Sequence, residues 1–320
     1  MIVRLGYVAM AVDLKDCSPS KTITYSQYSK MLDDEVKLYK LKKLAKENLI
    51  NTKRILLYNA AHDIKVYRIT SKLIPLINHP NVSYWNYIDE LSEVFDQIKA
   101  IINKNNFRIS AHPDHFTLLS SPRQDVISSS INDLVYHNNI MKAFGLDHQN
   151  GKLVIHVGGK YNSKKQAINR FKTNFSKLPE EIRNRIILEN DDKIYDLIDV
   201  LEVCEELKIP MVLDIHHQWC NNRKEKIEYY LERVFNTWND RILIPKIHVS
   251  SPKSELEFRA HANNINPDFF FNFIYKAKTL NKDFDVMIEA KNKNLALINL
   301  MNHIRRQPDF KIIDASSFEV

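Results

Sequence analysis

Short runs of apolar residues recur along the chain and alternate with longer amphipathic stretches. A run that is apolar at successive positions is typical of a strand buried on both faces of a parallel sheet. There are eight such runs, at residues 2–9, 65–70, 107–112, 152–158, 185–190, 211–216, 245–250 and 285–290. Residues with helical periodicity lie between them, for example at 34–60, 87–104, 196–207 and 226–238. The pattern predicts strands that alternate with helices along the whole chain.

Eight strand–helix units predict the α/β class and a single (β/α)8 TIM barrel, with residues 1–320 forming one catalytic domain. An open, doubly wound sheet is the alternative, because it is built from the same units. No break in composition marks a second domain. The chain has only five glycines, which argues against a glycine-rich loop for the phosphates of a nucleotide cofactor.

Charge and cysteine content indicate the kind of binding partner and the cellular compartment. The formal net charge is +7, which favours an acidic partner such as nucleic acid, although a lysine-rich composition alone can produce it. The three cysteines lack CxxC spacing and indicate a reduced compartment. No stretch is long and apolar enough to span a bilayer or to act as a signal peptide. We therefore expect a cytoplasmic protein without a membrane partner.

Metal-competent side chains follow six consecutive predicted strands. The active site of a TIM barrel lies at the carboxyl ends of its strands. A lone histidine there is usually a hydrogen-bonded core residue, and a lone acid is often a helix cap. Glu189 and Glu289, however, lie within or at the edge of apolar runs, where a carboxylate needs a cation or donors nearby. The sequence thus predicts a metal cluster formed by His112, His156, Glu189, Asp214, His217, His248 and Glu289.

Two neighbours of these residues are assigned by strand alternation. Lys246 precedes His248 by two positions, so both side chains should face the barrel interior. A buried lysine is costly, which favours a functional role for Lys246. His216 should point away from its neighbours and is left out of the cluster.

The types of ligand restrict the metal and the chemistry. Imidazoles and carboxylates without thiolates argue against a structural zinc site and suit manganese, zinc, iron or cobalt. Several such ions together are suited to the hydrolysis of a phosphate ester, because they can activate water and neutralise phosphate oxygens.

Several motifs together resemble those of the UV damage endonuclease family, and the resemblance covers nearly the whole chain. The segments that carry it are YRITSKLIPLINHP (67–80), RISAHPDHFTLLSSP (108–122), IHVGGKYNSK (155–164), ILENDD (187–192), LDIHHQ (213–218), KIHVSSP (246–252), RAHAN (259–263) and MIEAK (287–291).

The resemblance implies a trinuclear centre, usually of manganese, with zinc, cobalt or magnesium as alternatives. It adds His79 and His261 to the seven ligands above, which makes nine. Glu189, Glu289 and Lys246 are the catalytic residues that it implies, and the lysine is associated in the family with a carboxylate modification.

The implied reaction is hydrolysis of the phosphodiester immediately 5′ of a cyclobutane dimer or a 6-4 photoproduct in double-stranded DNA. The products are a 3′-hydroxyl and a 5′-phosphate, and no nucleotide cofactor is needed. We expect a nucleoid-associated monomer. The family's lesion-probing Gln-Tyr pair corresponds here to His115 and Phe116, which puts the lesion preference in doubt. Further expected DNA contacts are Tyr7, Arg123, Lys160 and Lys164.

Three other functions stay open on the sequence alone. One is an abasic-site endonuclease with a related three-metal barrel, and another is a metal-dependent sugar isomerase. A DNA-binding module without enzymatic activity would leave the buried carboxylates unexplained. The segment KIHVSS, His79 and the basic charge favour the photoproduct endonuclease.

Overall fold

Eight parallel strands form a closed barrel in the computed structural model, which describes residues 1–82, 85–222, 225–239 and 241–320. The barrel strands are β1 (Ile2–Val8), β2 (Val66–Ile69), β3 (Arg108–Ala111), β4 (Lys152–Ile155), β5 (Ile186–Glu189), β6 (Met211–Asp214), β7 (Lys246–Val249) and β8 (Phe284–Ile288). Each strand pairs in parallel with the next, and β8 pairs with β1. The predicted TIM barrel is confirmed. The alternative of an open sheet is wrong, because β1 and β8 pair and close the sheet.

The two faces of the strands pack into different apolar clusters. Val154, Ile187 and Val212 form a small cluster with Trp238, apart from the large cluster that includes the helices. Because side chains alternate along a strand, Glu189 lies on the same face as Ile187. The cluster therefore forms a layer of the barrel interior beneath the carboxyl ends of the strands.

Twelve helices among the described residues surround the barrel or line its upper rim. Their bounds are α1 Tyr25–Ser29, α2 Asp34–Ala61, α3 Tyr87–Glu90, α4 Ser92–Asn105, α5 Gln124–Ala143, α6 Lys164–Ser176, α7 Glu180–Arg183, α8 Leu197–Leu207, α9 Ile215–Cys220, α10 Glu228–Asn236, α11 Pro267–Lys278 and α12 Lys293–Ile304. The helix predicted at 87–104 is thus divided into α3 and α4, at Leu91. None of the described helices is long and apolar enough to cross a membrane.

Ion pairs and a hairpin close the amino-terminal end of the barrel. Asp285 accepts hydrogen bonds from Arg4 Nε at 2.6 Å and Arg108 Nη1 at 2.6 Å. The hairpin consists of β9 (Lys311–Ile312) and β10 (Ser317–Glu319), and β10 pairs antiparallel with the start of β1. These contacts lie at the end opposite to the predicted metal-binding residues.

Candidate metal centre

Glu189 lies at the centre of the predicted cluster. Its Oε2 is 3.2 Å from His112 Nε2 and 3.7 Å from His156 Nε2. Its Oε1 is 2.9 Å from His248 Nδ1 and 3.6 Å from His217 Nδ1. Glu189 is the last residue of β5 and faces the barrel interior. It is therefore close to imidazoles from strands on both sides of β5.

The remaining acids of the cluster come from β6 and from the segment after β8. Ligand atoms of Glu189, Asp214, His248 and Glu289 all lie within 4.8 Å of one another, as do those of His112, His156 and Glu189. Glu289 Oε1 is also 3.0 Å from His248 Nδ1. Glu189 thus belongs to both groups, and its two oxygens face different sets of imidazoles.

Backbone carbonyls fix the orientation of three imidazoles. Nδ1 of His112 lies 3.0 Å from the carbonyl oxygen of Pro113. Nδ1 of His156 lies 3.1 Å from that of Glu189, and Nδ1 of His217 lies 2.9 Å from that of Asn190. A carbonyl oxygen only accepts hydrogen bonds, so Nδ1 of each ring donates to it, which leaves Nε2 as the ring nitrogen that a metal ion could bind once Nε2 has lost any proton of its own. Metal-binding histidines are usually oriented in this way, by a hydrogen bond from the ring nitrogen that does not bind the metal.

Asn190 is a buried residue that the sequence did not single out, and it fixes the position of Asp214. Its Oδ1 accepts from Asp214 N at 2.9 Å, and its Nδ2 donates to Asp214 O at 3.0 Å. Asp214 Oδ1 then accepts from His217 N at 2.7 Å, so this carboxylate also caps α9. The link between Asn190 and Asp214 keeps the ends of β5 and β6 in register.

The electrostatics of the centre keep its carboxylates ionised. Burial would raise the pKa of Glu189, but the positive charge of His248 and the hydrogen bond of His112 hold that pKa well below its usual range. Burial would also raise the pKa of Glu289, but Arg68 and His248 hold it well below its usual range. Both side chains are therefore available as anionic ligands.

The imidazoles respond to the same interactions. Burial would lower the pKa of His248, yet the charge of Glu189 raises it. The charge of Asp214 likewise outweighs burial at His217 and raises its pKa to about 9. At His156 burial prevails and lowers the pKa. Without a bound cation, protonated imidazoles thus balance part of the negative charge.

Two buried atoms of the centre lack hydrogen-bond partners among the described residues, and this allows a test of whether divalent ions fit. They are Asp214 Oδ2 and His248 Nε2. Buried polar atoms without partners are costly, and coordination of a cation would satisfy the carboxylate oxygen. Imidazole and carboxylate ligands without thiolates also suit manganese and related ions. The residues present therefore fit a centre of divalent metal ions.

His79 and His261 lie outside the two groups of ligand atoms described above. The His79 ring stacks on Tyr25, with centroids 4.0 Å apart and an angle of 15°. The His261 ring centroid is 6.4 Å from that of His217, so this residue borders the centre. His216 uses both ring nitrogens on Ser250 Oγ and Phe258 O. The structure thus gives His216 a local structural role.

Lys246 faces the interior one layer below His248. Its side chain is buried, and Nζ donates to Ser110 Oγ at 2.9 Å. Burial and the charge of Arg108 hold the pKa of Lys246 well below its usual range. The position agrees with the alternation of β7.

Arg68 was not singled out by the sequence, although it lies inside the centre. It is the third residue of β2, and its Nη1 contacts Glu289 Oε1. Inspection of the sequence for histidines and acids could not find it. The signal that could have done so is a charged residue within the apolar run at 65–70.

A cavity of about 400 Å³ opens beside the centre. His112, His156 and His217 line its inner side, and Lys193 and His115 lie further out. The neighbouring Phe116 is 68% exposed, and its ring centroid is 3.9 Å from that of His115. The exposed lysine Lys193 was not among the residues predicted to contact DNA.

The other predicted DNA contacts have different surroundings. Lys160 is exposed in the loop after β4. Arg123 is exposed and pairs with Asp125, and Lys164 Nζ lies 2.6 Å from Asp199 Oδ2. Tyr7 is fully buried, and its hydroxyl donates to Asn59 Oδ1 at 2.6 Å. Tyr7 is therefore a core residue in this structure, whereas the sequence led us to expect a contact with DNA.

The fold and the site together define a TIM barrel with a candidate metal centre at the carboxyl ends of its strands. Residues 3–319 match the family described as UV-endonuclease UvdE. The chain belongs to this family, and the resemblance predicted from its motifs is confirmed. Membership makes the protein an endonuclease.

Two relatives and a more distant structure illustrate the match. The UV DNA damage endonuclease of Bacillus thuringiensis subsp. konkukian (strain 97-27) is 41% identical over 319 residues, which are 100% of both chains. The crystal structure of SacUVDE has a TM-score of 0.84 and 34% identity, over 95% of this chain and 98% of that one. Endonuclease IV from Thermus thermophilus has a TM-score of 0.54 and 10% identity, over 80% and 94% of the chains, which shows a likeness of fold alone.

Proposed function

We propose that the protein is a metal-dependent DNA repair endonuclease that hydrolyses the phosphodiester immediately 5′ of ultraviolet photoproducts. Cyclobutane dimers and 6-4 photoproducts are the proposed lesions, and the products are a 3′-hydroxyl and a 5′-phosphate. The observation that supports this most is the position of Glu189, whose two oxygens join two groups of potential metal ligands. The family and the name of the Bacillus relative support the lesion.

The ligands would hold about three divalent ions, with Mn2+ as our choice and Zn2+, Co2+ or Mg2+ as alternatives. When bound, such ions supply Lewis acidity that activates water and neutralises charge on a phosphodiester. The residues that we assign as ligands are His79, His112, His156, Glu189, Asp214, His217, His248, His261 and Glu289. Of these, His79 and His261 depend on the family resemblance rather than on contacts with the cluster.

The protein's own side chains prepare the site for this chemistry. Glu189 is 1% exposed and Glu289 is 11% exposed. We therefore assign Glu289 to face the reacting phosphodiester and Glu189 to hold the cluster together. Lys246 is placed beneath them, where its amine, or the carboxylate modification found in the family, would orient ligands of the centre.

Exposed residues beside the cavity are assigned to the DNA. The ring of Phe116 is free to stack on or insert between bases, which is easier where a lesion has weakened stacking. Lys160 and Lys193 are assigned to the phosphates, because both are exposed on loops that follow carboxyl ends of strands. A role on chromosomal DNA would place the protein at the nucleoid.

An incision assay on duplexes of one sequence tests the proposal. One duplex contains a cyclobutane dimer, one an abasic site and one no lesion, each with Mn2+ and with a chelator. We expect a nick 5′ of the dimer that a polymerase can extend, and no nick when the chelator is present. Cleavage of the abasic duplex alone would favour the abasic-site alternative. Inactivity on all three duplexes would count against a DNA endonuclease and would revive the sugar isomerase.

A further inference from the structure

Arg68 is held at the centre by its backbone and by one nitrogen of its side chain. Its carbonyl oxygen accepts from Ala9 N at 2.9 Å, and it pairs with Val8 of β1 and Ser110 of β3. The register of three strands thus fixes the position of its Cα. Its Nη1 contacts Glu289 Oε1, and the side chain is 13% exposed. Part of this largely buried arginine therefore reaches the solvent at the mouth of the barrel.

The charge of Arg68 is balanced by the carboxylate of Glu289, which is also a potential ligand of the metal ions. Glu289 Oε1 lies 3.0 Å from His248 Nδ1 and belongs to the second group of potential ligands. If divalent ions occupy that group, as the proposed function requires, the negative charge of Glu289 is shared between those ions and the guanidinium of Arg68. A cation beside a cluster of positive ions is favourable only if an anion also binds there.

The donor geometry of Arg68 suits such an anion. A guanidinium has five N–H groups in a planar fork that matches the oxygens of a phosphate. Among the described residues, Nη1 has an acceptor in Glu289, while Nε and Nη2 have no hydrogen bond to the protein. These two nitrogens form one edge of the fork and are available for bidentate contact with two oxygens.

We propose that Arg68 is a catalytic residue that donates hydrogen bonds to the non-bridging oxygens of the scissile phosphate. Glu289 holds Nη1 of the guanidinium, and the edge formed by Nε and Nη2 faces the substrate. This role rests on the proposed function, since it assumes phosphodiester hydrolysis at this centre. It makes Arg68 a source of transition-state stabilisation beside the metal ions, since charge on those oxygens grows as the nucleophile attacks.

Substitution of Arg68 with two readouts besides activity tests the role. Arg68→Gln and Arg68→Lys are compared with Arg233→Gln and Arg233→Lys, since Arg233 forms an exposed ion pair with Glu205. Titration calorimetry measures Mn2+ affinity in the metal-free proteins, and then the affinity of inorganic phosphate for the Mn2+-loaded proteins. Steady-state incision of dimer-containing DNA supplies kcat and KM.

The expected results distinguish an Arg68 that contacts the substrate from an Arg68 that only positions Glu289. Arg68→Gln should reduce kcat about 100-fold, which is typical for loss of one transition-state donor. It should weaken phosphate binding about tenfold. Mn2+ affinity should be unchanged or higher, because a cation that competes for Glu289 has gone. Arg68→Lys should fall between Arg68→Gln and the wild type, because it keeps the charge but loses the fork.

Two results would overturn the inference, and a third concerns only the proposed function. Unchanged phosphate binding in Arg68→Gln would exclude the contact. Mn2+ affinity at least tenfold lower, with activity restored by excess Mn2+, would show that Arg68 only supports Glu289. If the wild type binds phosphate through Arg68 but does not cut damaged DNA, the inference stands and the proposed substrate is wrong.

Discussion

His248 Nδ1 lies 2.9 Å from Glu189 Oε1, and the same ring nitrogen lies 3.0 Å from Glu289 Oε1. The imidazole of His248, on β7, thus contacts both a carboxylate at the end of β5 and a carboxylate just after β8. Glu189 raises the pKa of His248 despite burial, which favours a proton on this ring between the two carboxylates. Divalent ions that bind here would replace this proton, which couples metal binding to proton release.

Glu189→Gln should weaken the affinity for Mn2+ about 10–100-fold, by analogy with the loss of groups that support a metal ligand. The reason is that Glu189 supplies ligand atoms to both groups of the centre. Titration calorimetry measures the affinity, and circular dichroism checks the fold. Glu257→Gln is the matched control, because Glu257 is exposed and paired with Lys253. Equal Mn2+ affinity in both variants would show that Glu189 is not a ligand.

Phe116→Ala should weaken binding of dimer-containing DNA about 5- to 100-fold, which corresponds to loss of stacking on one base. Mn2+ affinity should not change, because Phe116 lies outside the cluster. Fluorescence anisotropy with labelled duplexes measures the effect, and undamaged DNA is the reference. Tyr229→Ala is a suitable control, since its ring is 70% exposed compared with 68% for Phe116. A similar loss in both variants would count against a specific contact.

Lys193→Ala and Lys160→Ala should each lower the slope of log K against log salt by about 1, as expected when one phosphate contact is lost. Both lysines are exposed near the cavity beside the centre. Arg306→Ala removes an equal charge just after α12, at the opposite end of the barrel, and should leave the slope unchanged. The slope comes from binding titrations at several salt concentrations. A lysine variant with the slope of Arg306→Ala makes no phosphate contact.

Lys152 should make the free energy of unfolding depend on pH. Burial, with Arg241, Arg108 and Arg185 nearby, lowers its pKa to about 8 in the folded protein, against about 10.4 in an unfolded chain. Between these values the unfolded chain binds more protons, so stability rises with pH through this window. The rise attributable to Lys152 should be about 1–3 kcal/mol.

Urea denaturation of the wild type and Lys152→Met at pH 7.5 and 9.5 measures this effect. The difference in unfolding free energy between the two proteins should shift in favour of the wild type at the higher pH. Lys311→Met is the control, because Lys311 is exposed and should show the same difference at both values. If the difference for Lys152→Met is also constant, the folded protein does not lower the pKa of this lysine.

Much of the site could be predicted from sequence because a parallel barrel has few ways to arrange its strands. Apolar runs indicated the strands, alternation gave the face of each residue, and the carboxyl ends had to meet at one mouth. This reasoning placed Glu189, Asp214 and His248 in one layer, and their ligand atoms do lie together. It also left out His216, whose ring nitrogens are both engaged by the protein.

Other features depend on which side chains meet after the barrel has closed. Arg68 and Glu289 are 221 residues apart in the chain, and only the pairing of β8 with β1 and of β1 with β2 brings them together. The stacking of His79 on Tyr25 and the burial of Tyr7 depend on the packing of loops and on available partners.

The positions of the strands along the chain and the face on which the candidate ligands lie could be deduced from the chain's residue pattern. Both follow from a periodicity that each strand shows independently of the others. Only the folded protein shows which oxygen of Glu189 faces which imidazole, which atoms lack partners, and that an arginine contacts Glu289. These contacts depend on distances between strands, and no local pattern of residues specifies such distances.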